Sequence, residues 1–208
     1  MVVFTDNLER EIIRMYLFKK LIYLIFCRIL FSVRYVNKNL ERNVDRCVVC
    51  SNHISFADPA FLFADIRKLA IMAKAELFKN KLIGGFFLFF GIFPIHRGEK
   101  DAKSIIHSVN ILKNNKFNKL LIFPEGTRVK DGGRIPAKVG AVYVAMKAGV
   151  PILPVRIIKK NPNRTLFTRV TVIYDTPIYL DNTRIKDKEY LKEISEKLMD
   201  SIYSLKEN

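Results

Sequence analysis

Three short stretches carry side chains that can move protons or hold anions. The first is Asn52-His53-Ile54-Ser55-Phe56-Ala57-Asp58. On a continuous helix, residues five apart stand about 140° from each other. On a loop that turns into a helix, the Asp58 carboxylate instead folds back toward His53. It then accepts from one ring nitrogen and leaves the other to take a proton. A base positioned in this way is worth roughly 10²–10⁴ in rate. Spacing alone still favours the plainer arrangement, a surface histidine beside a helix cap. The second stretch is Pro124-Glu125-Gly126-Thr127-Arg128, where a carboxylate, a glycine, a hydroxyl and a guanidinium share one loop. Gly126 permits close backbone approach and offers its N–H to an anion. Thr127 and Arg128 suit phosphate oxygens. Glu125 suits either a glycerol hydroxyl or the orientation of an arginine. The third is Phe93-Pro94-Ile95-His96-Arg97-Gly98, in which Arg97 supplies a planar fork for a phosphate.

Anion-binding residues sit in an anion-seeking chain. The 208 residues include 36 Lys and Arg against 20 Asp and Glu, a formal net charge of +16. Such a surface attracts nucleic acid, anionic headgroups, phosphorylated ligands or an acidic carrier protein. The aromatics select among these. The 16 Phe and 8 Tyr, with no Trp, fall partly in solid apolar runs such as Phe86-Phe87-Leu88-Phe89-Phe90. Nucleic-acid surfaces place aromatics singly among basic residues, so no nucleic-acid partner is expected. Cys27, Cys47 and Cys50 make an odd count with no framework spacing, which points to reduced, packed thiols. No metal cluster is visible. No cleavable signal peptide is evident. The uncharged run Leu82 to Ile95 would cover about 21 Å as a helix, short of the roughly 30 Å hydrocarbon core.

The elements that must position these residues alternate in type. A basic, apolar helix is expected from about Leu8 to Tyr35, suited to lying in a membrane interface. A buried strand follows at Cys47 to Ser51, then a helix from Pro59 to about Lys68 with Pro at its start. Further helices are expected over 101–114 and 137–148, the latter closed by Gly149. Further strands are expected over 119–123, 151–158 and 169–174. The chain ends on an amphipathic helix carrying Leu191, Ile194, Leu198, Ile202 and Leu205. This order predicts an α/β fold, a mixed sheet flanked by helices, with an N-terminal basic-apolar helical segment that docks on membrane.

Four blocks now stand in order: Asn52-His53-x-x-x-x-Asp58, Phe93 to Gly98, Phe123 to Arg128, and Val150-Pro151-Ile152-Leu153-Pro154-Val155. Together they resemble the glycerolipid acyltransferase family, whose best-known members are 1-acyl-glycerol-3-phosphate acyltransferases. The resemblance spans about residues 48–177. Lys138 and Gly140 match the Lys-x-Gly that follows the third block in that family, while Ile54 stands where Gln is common. The resemblance implies that His53 is the general base and that Asp58 orients it. It implies that Arg97, Glu125, Gly126, Thr127 and Arg128 hold the glycerol phosphate. It implies no cofactor, with acyl-CoA or acyl-acyl carrier protein as co-substrate and lysophosphatidic acid as acceptor. Residues 1–45 would be the membrane-associating segment and 46–208 the acyltransferase domain, placed at the cytoplasmic face of an anionic membrane.

Two competing readings remain at this stage. One keeps the chemistry and changes the acceptor to glycerol 3-phosphate, another lysophospholipid or a lyso-ornithine lipid. The other is a non-catalytic protein that binds anionic membrane or nucleic acid through its charge. A bidentate phosphate contact from Arg97 predicts that Arg97→Ala raises the acceptor KM and leaves kcat nearly intact. Steady-state kinetics checks this; a fall in kcat alone would assign Arg97 to the transition state.

Overall fold

The structure, a computed structural model, describes residues 14, 17–21, 23–95, 102–113, 116–129, 133–161 and 164–207. His96, Arg97 and Gly98 therefore lie outside the described residues, as does most of the chain before Leu17.

Seven strands form one sheet in the order β1-β7-β6-β2-β5-β3-β4. They are β1 (Phe31–Val36), β2 (Cys47–Ser51), β3 (Leu69–Lys74), β4 (Ile92–Ile95), β5 (Lys119–Ile122), β6 (Ile152–Lys159) and β7 (Thr168–Tyr174). β6, β2, β5, β3 and β4 run parallel. β7 turns antiparallel against β6, and β1 pairs parallel with β7. The helices are α1 (Asp58–Asp65), α2 (Lys81–Phe89), α3 (Ala102–Lys113), α4 (Gly140–Ala148) and α5 (Lys188–Ser204).

The central strand β2 shows why this sheet is covered on both sides. All five of its residues are buried, as expected for a parallel strand between helical layers. Cys47 and Val49 point into one core with Phe61, Leu62 and Phe63 of α1. Val48 and Cys50 point into the other with α4, Leu112 of α3 and Leu198, Met199 and Ile202 of α5. The three thiols are free and buried. Burial pushes Cys47 up to about 12 and Cys50 higher still, so both act as packed apolar groups.

Two expectations need correction. The helix expected as far as Tyr35 stops at Leu30, and Phe31–Val36 is strand β1. Phe31 and Val33 are buried while Ser32 and Arg34 are exposed, a two-residue period that fits a strand and not a helix. Strand β1 thus belongs to the sheet although it lies before residue 46. The other correction is the helix expected to reach Lys68, which ends at Asp65. Lys68 takes a positive φ of 51°, and the next residue opens β3, a strand the sequence reading did not foresee. Before β1, residues 23–30 form a π-helical turn. Lys19 anchors the helical residues ahead of it. Its Nζ donates to the Ile66 carbonyl at 2.7 Å and lies 4.5 Å from the Phe63 ring centroid. Burial lowers its pKa to about 8. No helix among the described residues is long and apolar enough to cross a membrane.

One buried ion pair fixes the start of β5. Lys119 Nζ donates to Glu41 Oε1 at 2.5 Å and to the Glu41 carbonyl at 2.9 Å. Both side chains are almost fully buried. Losing one partner strands the other charge. Lys119→Ala is therefore expected to cost about 3–5 kcal/mol, and Glu41→Gln combined with Lys119→Met markedly less. Urea unfolding of the three proteins checks this; equal losses would contradict it.

Candidate active site

The register of two strands builds the site. Cys50 of β2 pairs with Ile122 of β5. His53 and Glu125 each lie three residues beyond that pair, so both emerge at the carboxyl end of the sheet, where α/β proteins bind ligands. The His53 backbone N–H donates to Glu125 Oε2 at 2.7 Å, and the Val129 N–H donates to the His53 carbonyl at 2.7 Å. The two loops are thus sewn together through one residue, His53. On the other side, Asn52 continues the pairing of β2 with β6 by side chain. Its Nδ2 donates to the Ile157 carbonyl at 2.9 Å, and its Oδ1 accepts the Ile157 N–H at 2.7 Å.

The chain then turns so that Asp58, first residue of α1, faces back to His53. Asp58 Oδ2 is 2.8 Å from His53 Nδ1. The same oxygen accepts the N–H groups of Ile54 and Ser55, each at 2.7 Å, and Oδ1 accepts the Ser55 hydroxyl at 2.8 Å. Asp58 has no exposed surface, and a buried carboxylate is stable only when its oxygens are hydrogen-bonded. A fixed carboxylate at Nδ1 sets the tautomer: Nδ1 holds the proton and Nε2 carries the lone pair. The imidazole also stacks on Phe123, with centroids 4.0 Å apart and planes 16° from parallel. The ring is therefore held by an edge contact and a face contact at once.

The third block divides by exposure. Glu125 is buried, and its oxygens serve the protein: Oε2 takes the His53 amide, and Oε1 takes the Tyr203 hydroxyl at 2.5 Å. Burial pushes the Glu125 carboxyl above its usual range, against the opposing effect of those two donors. Thr127 and Arg128 are exposed. Gly126 departs from expectation. Its N–H donates to the Phe123 carbonyl at 2.9 Å, closing the turn, and so is not the anion donor expected of it. Its φ is +68°, and an added Cβ would stand 2.7 Å from Lys138 Nζ. Glycine is favoured there for the left-handed backbone, and the exposed Lys138 side chain lies across it. Lys138 is held in place by its own N–H, which donates to the Pro124 carbonyl at 2.8 Å. The structure thus brings together His53, Asp58, Glu125, Gly126, Thr127 and Arg128, with Arg97 outside the described residues.

Such a geometry defines a positioned base beside a cationic, hydroxyl-bearing loop, on an α/β sheet. The family model described as Acyltransferase matches residues 32–158, and the chain belongs to that family. Within it, the chain is similar to the 1-acyl-sn-glycerol-3-phosphate acyltransferase of Bacillus subtilis (strain 168), 30% identical over 176 residues that cover 82% of this chain and 86% of that one. The enzyme of the same name from Streptococcus pneumoniae is 28% identical over 192 residues, covering 90% of this chain and 71% of that one. The crystal structure of the 1-acyl-sn-glycerophosphate (LPA) acyltransferase from Thermotoga maritima shares the fold. Its TM-score is 0.62 at 23% identity, covering 85% of this chain and 74% of that chain.

Supports of His53 not foreseen from sequence include Asn52, Ser55, Phe123 and the Val129 N–H. Ser55, three residues before Asp58, carries a readable signal, since serine often bonds groups one helical turn onward. Asp58 sits on Nδ1 of the imidazole, and if it orients a catalytic base there, Asp58→Asn lowers kcat by roughly 10²–10⁴ while the acceptor KM and the circular dichroism spectrum hold. A kcat near the wild-type value would remove Asp58 from the mechanism.

Proposed function

We propose that this chain moves a fatty acyl group from an acyl thioester to the free hydroxyl of 1-acyl-glycerol-3-phosphate, giving phosphatidic acid for phospholipid synthesis. The His53–Asp58 pair carries the reading, because a buried carboxylate on Nδ1 leaves Nε2 as the base that a hydroxyl nucleophile requires. His53 Nε2 takes the proton as the hydroxyl oxygen attacks the thioester carbonyl. A C–O bond forms, the C–S bond breaks, and the imidazolium returns the proton to the departing thiolate. Asp58 stabilises the imidazolium meanwhile. No cofactor enters this scheme. The donor is acyl-CoA or acyl-acyl carrier protein, both acidic and both suited to a chain of +16.

The acceptor's phosphate falls to Arg97, Thr127 and Arg128, with Lys138 adding charge where it crosses Gly126. Gly126 shapes the loop. Glu125 contributes through the His53 amide it holds rather than through its charge on an exposed face. A phosphate monoester satisfies such a cluster better than a neutral headgroup does.

The same reading places the protein on the cytoplasmic face of an anionic membrane, where its acceptor resides. Leu17, Leu21 and Leu24 recur at helical spacing and are 57%, 51% and 53% exposed, with Arg14 and Lys20 exposed beside them. Basic residues near such a surface contribute about 1 kcal/mol each. Binding to vesicles containing phosphatidylglycerol is expected to weaken as salt rises. Firm retention at high salt would point to apolar insertion as the main contribution.

The acceptor itself is tested by turnover from acyl-CoA and from acyl-acyl carrier protein with three acceptors: 1-acyl-glycerol-3-phosphate, glycerol 3-phosphate and monoacylglycerol. The proposal expects the first to give the highest kcat/KM and the last, lacking phosphate, the lowest. Preference for glycerol 3-phosphate would move the reading to the earlier acylation. Equal use of monoacylglycerol would remove the phosphate site.

A further inference from the structure

Helix α5 lies beyond the segment that the family model matches, residues 32–158. By sequence it is an ordinary amphipathic helix, with Leu198, Met199 and Ile202 packed into the core. Its last turn, however, reaches the catalytic end of the sheet. The Tyr203 hydroxyl donates to Glu125 Oε1 at 2.5 Å, across 78 residues of sequence. The other oxygen of that carboxylate holds the His53 amide at 2.7 Å. Tyr203 is fixed in turn from β6. The Arg156 guanidinium donates to the carbonyls of Tyr203 and Leu205, the latter at 2.8 Å. Those carbonyls end a helix, where they lack helical partners and where positive charge is favoured. The Arg156 guanidinium also lies 5.4 Å from the Tyr203 ring centroid. Arg134, ion-paired to Glu196 and Asp200 of α5, lies 5.8 Å from it.

We infer that Tyr203 is a positioning residue for acyl transfer, holding the Glu125 carboxylate in the one orientation that fixes the His53 peptide. This rests on the acyltransferase reading of the site. Glu125 is 1% exposed. A carboxylate so buried needs a donor on each oxygen, and losing one leaves it to rotate or to take up a proton. Either event withdraws the acceptor from the His53 amide and loosens the base. The phenol is the right donor for the task. Burial and the neighbouring Glu125 hold the Tyr203 pKa well above its usual value, so it keeps its proton.

The inference carries a pH signature. Burial raises the Glu125 carboxyl, and the Tyr203 hydroxyl, the His53 amide and the charge of His53 lower it, while Asp58 raises it. Arg156 and Arg134 stand beyond the Tyr203 ring, and Lys138 crosses the adjacent Gly126. Removing the phenol hydroxyl takes away a lowering contribution. The carboxyl then protonates at higher pH, so the acidic limb of the kcat/KM profile moves upward.

The test is Tyr203→Phe in the full chain, which keeps the ring and removes one oxygen. Expected are a roughly ten- to hundredfold loss of kcat/KM, carried by kcat, and the upward move of the acidic limb. A Glu125→Gln background should absorb most of the loss, since both changes break the same link. One further readout needs no turnover: hydrogen exchange of the His53 amide is expected to be faster in Tyr203→Phe. Wild-type activity tests the acyltransferase reading by itself, and the exchange rate tests the brace whatever the acceptor. Unchanged His53 exchange with an unmoved acidic limb would overturn the inference. So would an equal loss of kcat/KM in the Glu125→Gln background.

Discussion

The carboxyl end of the sheet depends on the fixation of one residue, His53, through the peptide units on both sides of it. His53 gives its N–H to Glu125 and takes the N–H of Val129 at its carbonyl. With the backbone held at both ends, only the side-chain torsions remain. The Asp58 contact at Nδ1 and the Phe123 ring face then remove those. Each restraint comes from a different element: β5 supplies Phe123 and the Glu125 loop, α1 supplies Asp58, and Asn52 ties the segment to β6. A general base gains its rate advantage from being in place before the substrate arrives. The parallel pairing of β2 with β5, and its register, are what bring these elements to one point.

Two buried carboxylates divide the labour in this arrangement. Asp58 receives the ring and three donors from the turn that precedes it, so its charge is compensated locally. Glu125 receives one backbone N–H and one phenol, and burial pushes its carboxyl upward. Asp58 therefore faces the imidazole, while Glu125 faces the backbone that carries it. Thr127, Arg128 and Lys138 are exposed, the first two on the same loop and Lys138 across Gly126. Hydrogen-bonded groups are inside and exposed cationic and hydroxyl groups outside, the division that the proposed phosphate site uses.

Much of this was legible in the chain. The buried strands β2, β5 and β6 announced themselves as short apolar runs ended by loop residues, and β7 by the alternation of Arg169-Val170-Thr171-Val172. Gly149 marked the end of α4, and it adopts the left-handed φ of 69° that the cap requires. What escaped reading depends on long-range partners. Strand β1 follows directly on helical, equally apolar residues, and its identity comes from β7, more than a hundred residues later. The six residues of β3 are too few to separate strand from helix by period. Tyr203 gave no signal, because one tyrosine on an amphipathic helix looks like packing until the fold brings Glu125 to it. The sequence pattern also misassigned the Gly126 N–H, which closes its own turn.

The central claim is that the His53 ring, as held here, is the base for acyl transfer to a hydroxyl. It is tested most directly by single-turnover formation of phosphatidic acid from acyl-CoA and 1-acyl-glycerol-3-phosphate by wild type and by His53→Ala. The account predicts product from wild type and a rate for the variant lower by at least about 10², with the acceptor still bound. Product formation by His53→Ala at the wild-type rate would contradict it.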